Sequence, residues 1–255
     1  MIERLVRGGA DVHARFTKDL LQLRLYDEPG NIVDNVTAIH MASFRGPAIV
    51  NVQDVEGNTA LHYAASYFGG NGEASMPAFE TLCGKGADAS IQNNRGDTPL
   101  HNMLASVDGT IDKQILSLLL AHGAKINDLS RAGNSPLHIA ARRLDHHGVI
   151  DFLIEQGADT TIGHLRNNTP VHIAGSGDAF TPGLAEKIEI QDGVLATLTK
   201  SGGIELMDLP NAEGRTPRQI CKAQRDKWRE NEEKEHMINK RREQNFAIAA
   251  SCLSS

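Results

Sequence analysis

The residues best suited to metal or proton chemistry are histidines that recur at one place in a repeated phrase. His62, His101, His138 and His172 each stand three residues after a Thr or Ser, at intervals of 34–39 residues, and His40 fits a weaker copy. A zinc ion holds its ligands at about 2 Å, whereas equivalent residues of stacked helix pairs lie on the order of 10 Å apart. We therefore interpret these histidines as structural and predict no metal site.

Three other groups resemble reactive motifs and lack what the chemistry needs. The His146-His147 pair beside Asp145 would need two further convergent ligands to hold zinc. The segment 175–178, Gly-Ser-Gly-Asp, is not followed by the Lys-Ser/Thr of a phosphate loop. Cys83 lies in a predicted packed helix, which favours a buried, inert thiol. The sequence therefore predicts no catalytic residue, no cofactor and no enzymatic activity.

The repeated phrase itself is the strongest signal in the chain. Four copies are clear, one N-terminal copy is weaker, and Thr216-Pro217-Arg218-Gln219 is a decayed sixth copy. A period near thirty-odd residues is typical of repeats that stack into a solenoid, and solenoids mostly bind other molecules. The clear copies are Thr59-Ala60-Leu61-His62, Thr98-Pro99-Leu100-His101, Ser135-Pro136-Leu137-His138 and Thr169-Pro170-Val171-His172.

One repeat can be built from residues 133–159. Ser135 is a helix N-cap and Pro136 fits the first helical position, because its missing N–H is harmless there. A second helix is predicted over 149–154 and ends at Gly157, a left-handed C-cap. From such a glycine to the next cap is 12 residues in three successive repeats, so we expect a rigid connecting arm. Insertions at 67–77, 107–112 and 175–183 fall between the two helices of a repeat.

These features resemble the ankyrin-repeat family, whose pattern is a Thr-Pro-Leu-His helix, a second helix ending in Gly-Ala-Asp, and a projecting hairpin. The resemblance implies an all-α ankyrin-repeat solenoid of helix-turn-helix repeats with short β-hairpins. In that family the His side chain and the Thr cap brace neighbouring loops. The matching stretches are 58–65 with 86–88, 97–101 with 118–124, 134–141 with 153–159, and 168–174.

The chain divides into three predicted regions. Residues 1–53 form an atypical N-terminal half-repeat with an enlarged hairpin region, and 54–221 form the ankyrin-like repeats. Residues 222–255 form a charged C-terminal helix and tail. We interpret that helix as a cap on the array, with a partner-binding helix or a linker as the alternative.

Composition limits the remaining functions. The net charge of −6 disfavours a general nucleic-acid binder. The 3 widely spaced cysteines suggest no disulfide framework, and we expect a cytoplasmic or nuclear protein. Apolar runs are too short for a membrane span, so no membrane partner is expected.

The resemblance implies that partners meet the hairpin tips and the outward face of the first helices. The chain is therefore expected to be a scaffold or adaptor that binds another protein on the concave face; the alternative is a regulatory ankyrin region of a larger enzyme or multidomain protein. One hypothesis is that recurrent tip arginines bind an acidic or phosphorylated segment; the alternative is that they are solvated or pair with neighbouring acids. The predicted partner-binding residues are Glu56, Tyr67, Arg95, Asp97, Arg131, Arg142, Arg143, Arg166 and Arg215.

Overall fold

The fold is given by a computed structural model of the chain. It describes residues 50–68, 76–106, 111–179, 181 and 183–253, with side chains for all of these except 67, 68, 106 and 245–253. The predicted half-repeat and hairpin region of 1–53 therefore lies almost wholly outside the described residues. So do most of the insertion at 67–77 and part of the one at 107–112.

Helices dominate the described part of the chain, which confirms the predicted all-α repeat fold. Instead of regular hairpin strands, the described residues show tight turns and one isolated bridge, between Arg143 and Asp178. Short 3₁₀ helices occupy Leu144–His146 and Ile204–Asp208. In chain order the α-helices are α1 Ala60–Phe68, α2 Met76–Gly84, α3 Pro99–Ser106, α4 Lys113–Ala121, α5 Pro136–Arg142, α6 His147–Glu155, α7 Pro170–Ser176, α8 Leu184–Gly202 and α9 Pro217–Leu253.

The glycines predicted to end the second helices have the required conformation. Gly86, Gly123, Gly157 and Gly203 have φ values of 84°, 102°, 89° and 96°. This left-handed region is open to glycine because it has no Cβ. The left-handed stop predicted at Gly157 is thus confirmed, and the same sign of φ recurs at Gly86, Gly123 and Gly203.

The described residues form two compact units, with the boundary inside α5. The first contains residues up to 140 together with 155–158, and the second contains 141–154 and 159 onward. In the first unit α1 packs on α3 and α2 on α4, which places the first helices of neighbouring repeats side by side. Its core is made of aliphatic side chains and one aromatic ring: Leu61, Phe79, Leu82, Leu100, Met103, Leu104, Ile115, Leu116 and Leu119.

The second unit is organised around two longer helices. α8 has 19 residues, whereas α2, α4 and α6 have 9 each. The buried side chain of Gln191 in α8 donates to the Ala174 and Gly175 carbonyls at the end of α7, and it accepts from Arg225 of α9. These bonds tie α7, α8 and α9 together.

The C-terminal helix begins earlier and extends further than expected. α9 covers Pro217–Leu253, and its first three turns pack on α7 and α8. Trp228 is buried, and the residues from 229 to 244 are exposed. The first part of α9 therefore covers α7 and α8 as a cap would, and the middle part contacts no core. Among the described residues, no helix is both long and apolar enough to span a membrane.

Candidate protein-interaction surface

In the part of the chain that the structure describes, five tip turns with one common geometry project from the repeats. We define them by their five residues, 54–58, 93–97, 130–134, 164–168 and 211–215, and number the positions from one to five. In every tip turn the first N–H donates to the fifth carbonyl at 2.9–3.0 Å, and the fourth N–H donates to the first carbonyl at 2.7–3.0 Å. The fourth residue has a positive φ in Gly57, Gly96, Gly133, Asn167 and Gly214.

The side chain at the first position stabilises the turn from inside. In Asp54, Asn93 and Asn211 one Oδ1 atom accepts the N–H groups of both the third and the fifth residue at 2.8–3.0 Å. Ser130 uses its hydroxyl to accept one N–H, and His164 uses its ring Nδ1. Short polar side chains of this kind are favoured in turns because they satisfy backbone donors locally.

Neighbouring tip turns are joined through their backbones. In the first unit Asn94 N–H donates to the Glu56 carbonyl, and Arg131 N–H donates to the Arg95 carbonyl, both at 2.9 Å. In the second unit Ala212 N–H donates to the Arg166 carbonyl at 2.9 Å. Each of these bonds links the second position of one turn to the third position of the preceding one. The outer side chains are therefore held on a fixed backbone.

The recurring histidines fix the turns to the helices. The N-cap N–H donates to the ring Nδ1 of the histidine three residues later, at 3.1 Å for Thr59–His62 and 3.2 Å for Thr98–His101. Because a backbone N–H can only donate, the proton of the neutral ring must be on Nε2. Nε2 of His62 then donates to the Asp97 carbonyl at 3.0 Å, in the next tip turn.

The same contact recurs one repeat later, where His101 Nε2 donates to the Asn134 carbonyl at 3.1 Å. Burial is the main cause that lowers the pKa of both His62 and His101. Both ring nitrogens of each are engaged within the protein, as expected of bracing residues. In the decayed sixth copy Gln219 replaces the histidine, and its Oε1 accepts from Thr216 N–H at 3.0 Å.

The tip turns present their second and third side chains to solvent. Leu165 is 78% exposed and Val55 is 50% exposed, both at second positions. The third positions carry charges in four of the five turns. An exposed aliphatic group beside a charge on a rigid backbone is suited to contact another protein.

Four of the predicted site residues of the first unit lie in its tip turns. Glu56 and Arg95 are at third positions and are exposed. Asp97 is at a fifth position, and its carboxylate pairs with Arg95 Nε at 3.0 Å. Arg131 is exposed at a second position and forms no ion pair with any described residue. Tyr67 lies in α1, but its side chain is outside the described part.

The second unit brings two predicted arginines to one acid. Arg166 lies 3.9 Å from Glu213, and Arg215 forms a short ion pair with the same carboxylate. Arg142 is exposed at the end of α5, and the half-buried Arg143 follows it. The tip arginines occupy second, third and fifth positions, so they are not equivalent copies of one residue. Three of them pair with neighbouring acids, which was the alternative interpretation of the sequence.

Sequence reasoning missed the residues that build the turns. The first-position acceptors and the fourth-position glycines were not singled out. A search for Asp or Asn followed three residues later by Gly, just before each cap, would have found the turns at 54–58, 93–97 and 211–215.

Comparison with known proteins agrees with this geometry. A family model of ankyrin repeats matches residues 71–164 with three copies. Residues 71–164 are therefore ankyrin repeats. Ankyrin repeats mediate protein–protein interaction, so protein binding is the general function of this repeat region.

The similar proteins are much longer than this chain. A Caenorhabditis elegans homolog of transient receptor potential cation channel subfamily A member 1 is 29% identical over 52% of the chain and 12% of its own length. Phosphocholine transferase AnkX of Legionella pneumophila is 28% identical over 81% of the chain and 21% of its own length. Human neurogenic locus notch homolog protein 1 is 35% identical over 46% of the chain and 4% of its own length. The chain thus spans about a fifth or less of these relatives.

Proposed function

We propose that this chain is a non-catalytic adaptor that binds a partner protein through its tip turns. The observation that carries the proposal is the rigid backbone of the turns, which exposes their second and third side chains. A preorganised surface loses little entropy on binding. The reactive groups are otherwise engaged: burial raises the pKa of the Cys83 thiol to about 11, and His62 and His101 use both ring nitrogens.

The second unit suggests the chemistry of the ligand. Leu165 offers an exposed aliphatic group next to Arg166, and Arg215 shares Glu213 with Arg166. Surface ion pairs of this kind contribute little, about 0–1 kcal/mol, so an incoming anion can displace Glu213. An acidic or phosphorylated segment with a neighbouring apolar residue would satisfy both groups.

A peptide array tests this ligand. Each peptide is printed in an unmodified form, with Glu replacing Ser, and with phosphoserine. We expect the phosphorylated and Glu forms to be preferred, and Arg166→Glu to reduce binding at least tenfold. Arg229→Glu is the matched control, since Arg229 pairs with Asp226 on the exposed part of α9. If the Arg166→Glu variant and the control bind equally well, the tip turn at 164–168 does not bind the ligand.

The described cysteines bear on the cellular location. Cys83 and Cys221 are free thiols, which supports a reducing compartment, and we propose the cytoplasm or nucleus.

A second candidate is the regulatory ankyrin region of a larger enzyme or multidomain protein. The observation in its favour is that the relatives extend far beyond the matched part. Mass spectrometry of the protein isolated from its native cells separates the two. A species of 27.6 kDa supports the stand-alone adaptor, and a larger species with additional peptides supports the second candidate.

A further inference from the structure

The middle segment of α9, residues 229–244, is helical although it covers no core. All of its residues are exposed, including Met237 at 59% and Ile238 at 50%. A helix that is exposed on every side is either supported by ion pairs along its own surface or lies against another molecule. Within the described residues the ion pairs of this segment are Arg229 with Asp226 and Lys234 with Glu230. The two exposed apolar side chains take part in neither.

Two rows of side chains on the middle segment have the same order of charges. The Met237 row is Glu233, Met237 and Lys240, and the Ile238 row is Glu235, Ile238 and Arg242. Within each row consecutive members are three or four residues apart, so they are neighbours on the helix surface. Each row therefore reads acid, apolar group and base along the helix. In the described part of the chain the four charged groups of these rows form no ion pair.

Reversing the direction of a row exchanges its acid and its base. A second copy of the middle segment, running antiparallel about an axis between Met237 and Ile238, places its own Lys240 beside Glu233 of the first copy. It likewise places its Arg242 beside Glu235. With a rise of about 1.5 Å per residue, the members of each pair differ by about 3 Å in height along the helices. Side chains of this length span that offset, and the apolar groups meet at the centre.

The charge order fits a second copy better than another kind of partner. A two-fold symmetric contact requires a surface that is complementary to itself, and each row meets this requirement when it is reversed. A parallel pair of the same helices would place acid beside acid and base beside base, which is unfavourable. The rows contain as many acids as bases, whereas a nucleic acid attracts a basic surface.

Lys234 opposes the pairing and therefore provides a test of it. It lies three residues before Met237 and four before Ile238, between the two rows. Arg241 lies between the rows on the other side of these apolar residues. In the antiparallel arrangement Lys234 faces Arg241 of the second copy. The Lys234 ammonium lies 3.8 Å from Glu230 Oε2 of its own helix, which offsets part of this repulsion.

We propose that the middle segment of α9 pairs antiparallel with the same segment of a second copy of this chain, so that the protein forms a symmetric dimer. The contact is small and its ion pairs are exposed, so the dimer dissociates on dilution and in high salt. Measurements on dilute protein then report on single chains. The pairing does not rest on the proposed adaptor function. Two joined copies of an adaptor would bind a partner that has two sites more tightly.

Analytical ultracentrifugation of the full chain over a range of concentrations measures the dimer. We expect a monomer–dimer equilibrium whose dissociation constant rises at least fivefold between about 50 and about 500 mM salt. The double variant Glu233→Lys, Glu235→Lys should raise the dissociation constant at least tenfold. The matched control is Glu232→Lys, Glu243→Lys, which makes the same change in net charge on the opposite side of the helix. This control should dimerise as the native chain does.

A mixing experiment tests the complementarity of the rows. The second double variant, Lys240→Glu with Arg242→Glu, should also be monomeric by itself. An equimolar mixture with Glu233→Lys, Glu235→Lys should form a heterodimer, because every acid of one chain then meets a base of the other. Circular dichroism at 222 nm shows that each variant is folded.

The Lys234→Glu variant tests the direction of the helices. It replaces a repulsion from Arg241 of the second copy by an attraction, so it should lower the dissociation constant at least threefold. The proposal is overturned if the native chain is monomeric at every concentration, if Glu233→Lys, Glu235→Lys dimerises as its control does, or if the mixture stays monomeric. No partner protein is used, so the dimer and the adaptor function fail separately.

Discussion

Replacing Gly96 by Ala tests whether the tip turns owe their rigidity to close backbone contact. Gly96 has φ of 74°, and a Cβ built on it would lie 2.6 Å from the backbone nitrogen of Arg131 in the next turn. That nitrogen donates to the Arg95 carbonyl at 2.9 Å. The added methyl group therefore cannot be accommodated unless the two turns move apart and this hydrogen bond lengthens.

The magnitude follows from two separable costs. A positive φ costs an L-residue about 1–2 kcal/mol, and the reduced freedom of the unfolded chain returns about 0.4–1 kcal/mol. Moving the Arg131 nitrogen off its acceptor adds about 1–3 kcal/mol for a donor without a partner. We expect Gly96→Ala to lower the free energy of unfolding by about 2–4 kcal/mol in total.

Gly86 in the same unit is the matched control. It has φ of 84°, and a Cβ built there meets no atom within 4 Å. Gly86→Ala should therefore show only the cost of the positive φ, reduced by the gain from the unfolded chain, which leaves about 1 kcal/mol. Urea denaturation followed by circular dichroism at 222 nm measures both variants, and hydrogen exchange at the Arg131 amide locates the change. If the two variants lose equal stability and Arg131 remains protected, then contact between turns does not hold the tips.

Three further predictions concern the buried side chains of His101, Cys83 and Trp228. Burial lowers the pKa of His101 from its usual 6.5. The unfolded chain therefore binds the proton first, and stability falls as the pH drops below about 6.5. In urea denaturation from pH 7.5 to 5, His101→Gln should be less stable than the native chain at pH 7.5, and its free energy of unfolding should fall less steeply in acid, by up to about 1.4 kcal/mol per pH unit. Burial raises the pKa of the Cys83 thiol to about 11. Cys83 should therefore not react with iodoacetamide in the native protein, and it should react in about 8 M urea, which unfolds the chain; peptide mass mapping measures both. Trp228→Ala should cost about 3–5 kcal/mol in urea denaturation, while Met237→Ala on the exposed face of α9 should change stability by less than about 0.5 kcal/mol; similar losses from both would mean that the middle of α9 is packed.

Several elements of the fold were predictable because their causes are local. A hydroxyl cap followed by Pro begins α5 at Pro136, and a glycine with positive φ follows α6 at Gly157. Both signals act within a few residues of the chain. The length of α9 was not predicted, because a charged, exposed helix carries no apolar periodicity that would mark where it ends.

The predicted binding residues show where local reasoning stops. Arg95 and Arg131 are similar in sequence context, since each stands a few residues before a cap. In the structure Arg95 is at the third position of its tip turn and forms an ion pair with Asp97. Arg131 is at the second position of the next turn, where its side chain forms no ion pair with a described residue. Because the fold fixes which acid lies next to each arginine, the pairing could not be deduced from spacing alone.

The sequence by itself determined the repeats and the caps and glycine stops that limit most of their helices. Each cap and each stop acts within three or four residues of the chain. Only the tertiary structure decided which backbone groups each turn offers to the next, such as the Asp97 carbonyl that receives His62 Nε2. Those partners are about one repeat apart along the chain, and they meet because the helices beneath them pack together.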